Sequence, residues 1–335
     1  MTRSPHGPAE NRLHTAAPGP PPGDLPPDWP HRSASLGIAV GQQHWHVQVF
    51  GSPGPRADIV LLHGASASAH SWRDIAPALA SDRRVIVPDL PGHGWTRRPD
   101  AAHGLSLPGM AALLGGLLRA LGVGRAVLIG HSAGAAVAAR MALDGQAEAE
   151  LVIGLNGAWL PPAGQGRWFY EPLARVLALN PLVPPLVAWS ARRHSSIERL
   201  IASTGSRMDA RGVELYARLV QRSTHVAAVM TMMAAWDLQP LLRDLPRLGV
   251  PLHLLVADGD LTVPPQASSA ARQRLPQAGW HLLRGLGHLA HEEAPDRVLG
   301  LLDELLDPPA PVEEANAQRG ASSPVSSRSG GGSPS

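Results

Sequence analysis

Short apolar runs that alternate with longer helical patterns constrain this chain more than any other feature. "HWHVQVF" (44–50) alternates apolar and polar residues, the pattern of a half-buried strand. "ADIVLLHG" (57–64), "RRVIVPDL" (83–90), "AVLIGHS" (126–132), "ELVIGLNG" (150–157), "PLHLLVAD" (251–258) and "WHLLRG" (280–285) are short strands. Helical patterns lie near 69–80, 107–121, 133–145, 265–275 and 294–306. Strand–helix alternation implies parallel strands joined by right-handed crossovers, a doubly wound, mostly parallel α/β sheet. In such sheets functional groups collect at the carboxyl ends of the strands.

The alternation stops between about 158 and 246. "FYEPLARVLAL", "GVELYARLVQR" and "THVAAVMTMMAAW" are helix-like pieces separated by Pro and Gly, with no convincing strand. A helical insertion between late strands, on the functional edge of the sheet, is the design expected of a lid. The expected organisation is a core over 31–157 and 247–307, a helical lid over 158–246, and unstructured ends. Residues 1–30 ("APGPPPGDLPPDWP") and 308–335 ("ASSPVSSRSGGGSPS") are rich in Pro, Gly and Ser. They offer little to bury against the entropy of ordering them.

Composition removes several classes of function. All 29 basic side chains are arginine, yet the net charge is only +2 and no arginine-dense run occurs, so nucleic acid is not an expected partner. The absence of cysteine removes disulfides and Cys-based metal or redox sites. "MTRSPHGPAENRLHT" lacks the apolar core of a signal peptide, and no apolar run approaches the roughly 18 residues of a membrane span. A cytoplasmic location is therefore expected.

"AVLIGHSAGAAVAARMAL" (126–143) carries the chemistry. Serine is a favoured helix N-cap, so Ser132 could simply start a helix. Gly130-His131-Ser132-Ala133-Gly134 also fits the G-x-S-x-G elbow, in which a strand turns within about two residues into a helix and exposes a strained serine. The positive end of helix 133–145 would point at the site. A serine hydroxyl is a weak nucleophile and needs a base with an orienting acid. Among 16 histidines, His288 in "LLRGLGHLAHEEAP" follows the last strand in a Gly-flanked loop; His291 is the near competitor and fits better at the start of the following helix. In "LHLLVADGDLTVPP" both Asp258 and Asp260 follow a strand. Asp258 suits a turn, and Asp260 is favoured as the acid, because Ser132, Asp260, His288 is then the chain order of an α/β-hydrolase triad. "IVLLHGASASAHSW" ends a strand in His63-Gly64, so the N–H groups of Ala65 and Ala133 could hold an oxyanion.

Other polar residues have plainer readings. His63 lacks a second ligand at metal-binding spacing, His93 fixes a loop beside the site, and His131 packs beneath the elbow. "MTMMAAW" (230–236) is helix core or lid lining. Neither a metal nor an organic cofactor is expected.

These motifs together resemble the α/β-hydrolase superfamily over about residues 35–306. "HG" with Trp72 nine residues after His63, "PDLPGHG", "GHSAG", "DGDLTVP" and "GHLAHEEAP" stand in its order. Ala257 replaces the usual Gly at the start of the acid loop. The resemblance implies an eight-stranded sheet. "DWPHRSAS", "HWHVQVFG", "HSWRDIAPALA", "GLSLPGMAALL", "LNGAWLP", "NPLVPPLVAW", "LIASTGSRMD", "ELYARLV" and "MMAAWDL" look like the magnesium-chelatase accessory proteins of bacteriochlorophyll gene clusters, through the lid as well as the core. That likeness implies a place in photosynthetic pigment synthesis.

The leading expectation is a serine hydrolase acting on an ester or related acyl compound. Trp159, Trp168, Phe169, Trp189 and Trp236 in the lid suggest a large apolar substrate, such as a tetrapyrrole or a prenylated pigment intermediate, although some of them must be lid core. The alternative is a non-catalytic accessory protein on the same scaffold, binding a tetrapyrrole or magnesium chelatase. Dehalogenases and epoxide hydrolases of this fold use an aspartate at the elbow and are set aside; perhydrolase-like and carbon–carbon bond hydrolysis use a serine and remain open. Residues 169–194 are apolar with a basic end, so the lid could touch the photosynthetic membrane, although burial against the core is favoured.

Overall fold

A computed structural model describes residues 18–160, 183–190 and 194–307. The chain divides into two compact units, one through Pro295 and the other from Asp296 onward. The second opens within the helix Pro295–Leu306, which has Pro at its first position and Asp296 in its first turn, where helix N-termini favour both.

Within the first unit the described residues form one eight-stranded sheet, ordered β1-β2-β4-β3-β5-β6-β7-β8. The strands are β1 (Ser35–Val40), β2 (Gln43–Phe50), β3 (Asp58–Leu62), β4 (Val85–Pro88), β5 (Arg125–His131), β6 (Glu148–Leu155), β7 (Leu252–Ala257) and β8 (Gly279–Leu283). β2 is antiparallel to both β1 and β4, and every pairing from β4 across to β8 is parallel. Six of the seven strands read from periodicity were short apolar runs, and β3 and β4 are buried along their whole length. Strands covered on both faces lose the alternating signature and become continuous apolar runs. β1 was not among the runs, because Gly37 and Ala39 dilute its pattern.

Parallel pairing brings strand ends into line. Leu62 of β3 pairs with Gly130 of β5, which pairs with Gly154 of β6. The chain therefore leaves β3, β5, β6 and β7 at one edge, at His63, Ser132, Asn156 and Asp258. Helix Ala133–Leu143 crosses behind that edge; its residues from Ala133 through Met141 are buried. Its alanines remove the side-chain volume that would hold it away from β5 and β6.

Between β6 and β7 the described residues are helical: Val183–Ser190, His194–Ser203, Ala210–Val220, Ser223–Ala235 and Gln239–Asp244. Ala210–Val220 starts at Asp209, whose carboxylate accepts the Gly212 N–H at 2.7 Å. Among the described residues, no helix is long and apolar enough to cross a membrane.

The N-terminal expectation needs correction over 18–30. Leu25 and Trp29 are each 2% exposed and share a cluster with Leu215 and Leu219 of the helix Ala210–Val220. Trp29 packs edge-on against Trp95 at 4.4 Å and His70 at 5.5 Å. Asp28 bonds Arg218 through both carboxylate oxygens at 2.8 Å, and Gly19 bridges Gly37. Composition missed this because two large apolar side chains outweigh the surrounding prolines. The exposed ion pairs contribute little by comparison. Trp29→Ala should lower unfolding stability by about 3–5 kcal/mol in urea titration. Asp28→Ala should leave the midpoint nearly unchanged; the reverse ranking would show that charge, and not burial, holds this segment.

Candidate active site

Ser132 has φ 52° and ψ −116°, a conformation that non-glycine residues avoid. Its neighbours make it obligatory. A Cβ on Gly130 would lie 2.3 Å from the Gly134 backbone, and one on Gly134 would lie 2.2 Å from the Leu62 carbonyl oxygen. The glycines thus permit the close crossing of strand, turn and helix. The Ser132 N–H donates to the Leu155 carbonyl at 2.9 Å, and its own carbonyl accepts from Ala135 and Ala158 at 3.1 and 3.0 Å. The hydroxyl makes no cap bond to the helix it precedes, so capping does not account for this serine.

His288 Nδ1–H donates to Asp260 Oδ2 at 2.7 Å, and both residues are buried. The other Asp260 oxygen accepts the N–H groups of Thr262 and Val263, each at 2.8 Å, which fixes the carboxylate plane. With Nδ1 committed as donor, Nε2 is left as a base. Asp258 instead accepts the Gly285 N–H at 2.6 Å and serves as a turn residue. The His131 ring next to the elbow lies 4.7 Å from the His288 ring, tilted by 54°. Among the described residues none hydrogen-bonds the Ser132 hydroxyl; such contacts tighten when substrate arrives.

A Cβ on Gly64 would lie 3.2 Å from Ser132 Cβ, so the His63-Gly64-Ala65 loop comes up against the elbow. Among the described residues no backbone acceptor takes the N–H of Ala65 or Ala133. His63 donates from Nδ1 to the Gly64 carbonyl at 2.8 Å and accepts the Leu90 N–H at Nε2 at 2.9 Å. Both nitrogens are used in holding the loop, and among the described residues no group of three or more His, Cys, Asp or Glu side chains is arranged to hold a metal ion. His93 bonds the Pro91 carbonyl at 3.1 Å.

Two clamps on His288 have no counterpart in the sequence reading. The His288 carbonyl accepts from His131 Nε2–H at 2.8 Å and from Asn156 Nδ2–H at 2.9 Å. Asn156 also donates to the Gly287 carbonyl at 3.1 Å and accepts the Ala257 N–H at 2.8 Å. One amide at the end of β6 therefore ties β7 to the loop that carries His288. Its φ of 46° suits Asn, which tolerates that region better than most residues. The signal available in the sequence was Asn-Gly closing the strand between the elbow and the acid loop.

The apolar residues expected to line the site separate. Trp159 belongs to the core: it is fully buried, and a Cβ on Gly154 or Gly157 would come within 2.4–2.5 Å of its indole. Trp236 is half-buried and donates to the Leu105 carbonyl at 3.0 Å. Trp189 is 61% exposed. Trp168 and Phe169 lie outside the described residues.

The surroundings of the site are rich in buried neutral imidazole. Burial lowers the pKa of His63, His70, His93, His131, His225 and His291, with His225 brought to about 4 and His291 to about 3. His291 bonds Ser71 at 2.8 Å and packs on Trp72, a structural placement. Buried Glu292 is raised by desolvation against the pull of Arg73, Ser71 and Tyr216 and opposes the histidines in part. Unfolded histidines bind protons near pH 6.5 while these folded ones do not, so stability is full above about 6.5 and falls as the pH drops toward 4. His225 alone would contribute on the order of 3 kcal/mol. Urea midpoints should decline from pH 7 to 5, less steeply in His225→Gln; a flat profile would contradict neutral burial.

Residues 59–295 match the family model described as alpha/beta hydrolase fold. The chain is 40% identical over 283 residues to the magnesium-chelatase 30 kDa subunit of Rhodobacter capsulatus, covering 84% of this chain and 98% of that protein. Among solved structures it is similar to an alpha/beta hydrolase fold protein from Burkholderia ambifaria (TM-score 0.65, 24% identity, 78% of this chain and 94% of that one). It is also similar to a thermophilic esterase from Thermogutta terrifontis (TM-score 0.59, 24% identity, 78% and 93%).

Proposed function

Because the chain belongs to the alpha/beta hydrolase family and shares close kinship with a magnesium-chelatase subunit, we propose that it is a serine hydrolase of magnesium-tetrapyrrole metabolism, cleaving an ester or related acyl bond. The observation that carries this reading is the strained Ser132 backbone at the same strand edge as the buried His288–Asp260 pair. Strain of roughly 1–3 kcal/mol persists only where surrounding structure enforces it, and here it presents a hydroxyl that caps nothing.

In the proposed reaction Ser132 Oγ attacks the carbonyl carbon while His288 Nε2 takes its proton. The carbonyl electron pair moves onto oxygen, which receives the Ala65 and Ala133 N–H groups, each such donor being worth about 2.7–4 kcal/mol in the transition state. Collapse expels the alcohol, which takes the proton from His288 and leaves an acyl-serine. Water then adds by the same route, giving its proton to His288, and the acid leaves as Ser132 recovers its hydroxyl. Asp260 holds the imidazole in the required tautomer and stabilises its cation.

The helices between β6 and β7 act in this reading as a lid. Exposed Leu186, Trp189 and Met233 on two of them suit a large apolar substrate, a tetrapyrrole or prenylated pigment intermediate, and contact with the periphery of a pigment-bearing membrane. The same triad would serve perhydrolase-like or carbon–carbon bond hydrolysis. The kinship with a chelatase subunit favours a second reading, a non-catalytic accessory that binds the chelatase or its tetrapyrrole.

Hydrolysis of p-nitrophenyl butyrate tests the first reading. Ser132→Ala should lose about 10^6-fold in kcat and Asp260→Asn about 10^4-fold, both remaining folded. Ser132→Ala restoring pigment synthesis to a deletion strain would favour the accessory role.

A further inference from the structure

The anion-binding loop does not hold itself. Gly64 to Ala67 forms a tight turn closed by the Ala67 N–H on the Gly64 carbonyl at 3.3 Å, and Ser66 within it sits at φ 63°. Together with Ser132 and Asn156, this places three of the four described non-glycine residues of positive φ around the candidate site. A strained turn bearing a catalytic amide needs an outside constraint if the amide is to keep its direction.

That constraint comes from the helical insertion. His225, near the start of the helix Ser223–Ala235, is 2% exposed. Its Nδ1 accepts the Gly94 N–H at 3.1 Å, so the ring proton resides on Nε2, which donates to the Ser66 carbonyl at 3.3 Å. The ring also meets His93 edge-on at 5.3 Å. Around this contact the same helix packs closely. A Cβ on Gly92 would lie 2.6 Å from Ala228 Cβ, and Ala67 shares an apolar cluster with Val226, Val213 and Ile201. The Gly94 side is anchored as well: Asp89 accepts the N–H groups of Ala69 and Trp95 at 2.7 and 2.9 Å.

We infer that His225 is a positioning residue for the proposed oxyanion hole, fixing the Ser66 carbonyl and, through the closed Gly64–Ala67 turn, the direction of the Ala65 N–H. This rests on the serine-hydrolase reading of the same site. The insertion thereby gains a second role, since its helix completes the catalytic loop from outside the sheet. Burial keeps the ring neutral, with a pKa of about 4, so the one-donor, one-acceptor pattern holds across the ordinary pH range.

Because an oxyanion donor acts on the transition state far more than on bound substrate, loss of its direction should fall on kcat and not on KM. Amide geometry supplies the control: the glutamine side-chain nitrogen falls near histidine Nε2 and can still reach Ser66, whereas that of asparagine falls near Nδ1 and cannot. With p-nitrophenyl butyrate, H225F and H225N should lose about 10- to 100-fold in kcat with KM changed by less than about twofold. H225Q should recover most of that loss. Melting temperatures are measured beside the kinetics, and H225N against H225Q suffices if H225F does not fold. Wild-type kcat in H225N, or equal losses in H225N and H225Q that follow the melting temperature, would overturn the positioning role while leaving the hydrolase reading intact. A wild-type protein with no activity sensitive to Ser132→Ala would overturn both.

Discussion

The conformation of Ser132 is the constraint on which the rest of the site depends. Its backbone is unfavourable in isolation and is enforced by close packing: Gly130 against Gly134, Gly134 against the Leu62 carbonyl, and hydrogen bonds to Leu155 and from Ala158. Those partners lie on β3, on β5, on and just after β6, and on the helix behind them, so the serine holds this conformation only on the assembled sheet. The parallel register then does the remaining placement. Chains that leave neighbouring strands at one edge bring His63, Asn156, Asp260 and His288 to the same region without any single long-range contact having to select it.

The site is also held by groups that do no chemistry in the proposed reaction. Asp260 is locked by two backbone amides, the His288 carbonyl by His131 and Asn156, and the turn bearing Ala65 by His63 on one side and His225 on the other. Many of these are imidazoles buried as neutral rings. A neutral histidine offers one donor and one acceptor in fixed directions, which suits it to joining backbone groups from two loops. The cost is a stability that depends on pH, because every one of those rings would gain a proton on unfolding in mild acid.

Much of this was legible in the residues, and the failures have physical causes. Six apolar runs and the alternating run 44–50 became strands, and β3 and β4, covered on both faces, show why an uninterrupted apolar sequence marks a strand; β1 escapes the pattern because Gly37 and Ala39 dilute it. The pairing of Asp260 with His288 was legible because each follows a strand at a Gly-marked loop, and parallel strands deliver those loops to one edge. Asn156 and His225 were not, since each works through backbone groups distant in sequence, a relation that no local pattern encodes. Sequence does not separate lining from core among the aromatic residues; Trp159 is core because its indole fills the space that Gly154 and Gly157 leave. In 18–30 the prolines mask the burial of Leu25 and Trp29, which holds the segment to the fold.

The proposed reaction stands on Ser132 as an activated nucleophile. Intact-protein and peptide mass spectrometry after exposure of the folded chain to a fluorophosphonate tests it most directly. A single adduct is expected, carried by the peptide containing Ser132 and absent from Ser132→Ala. A folded wild-type protein that takes no adduct, or takes it on another residue while Ser132 stays free, would contradict it.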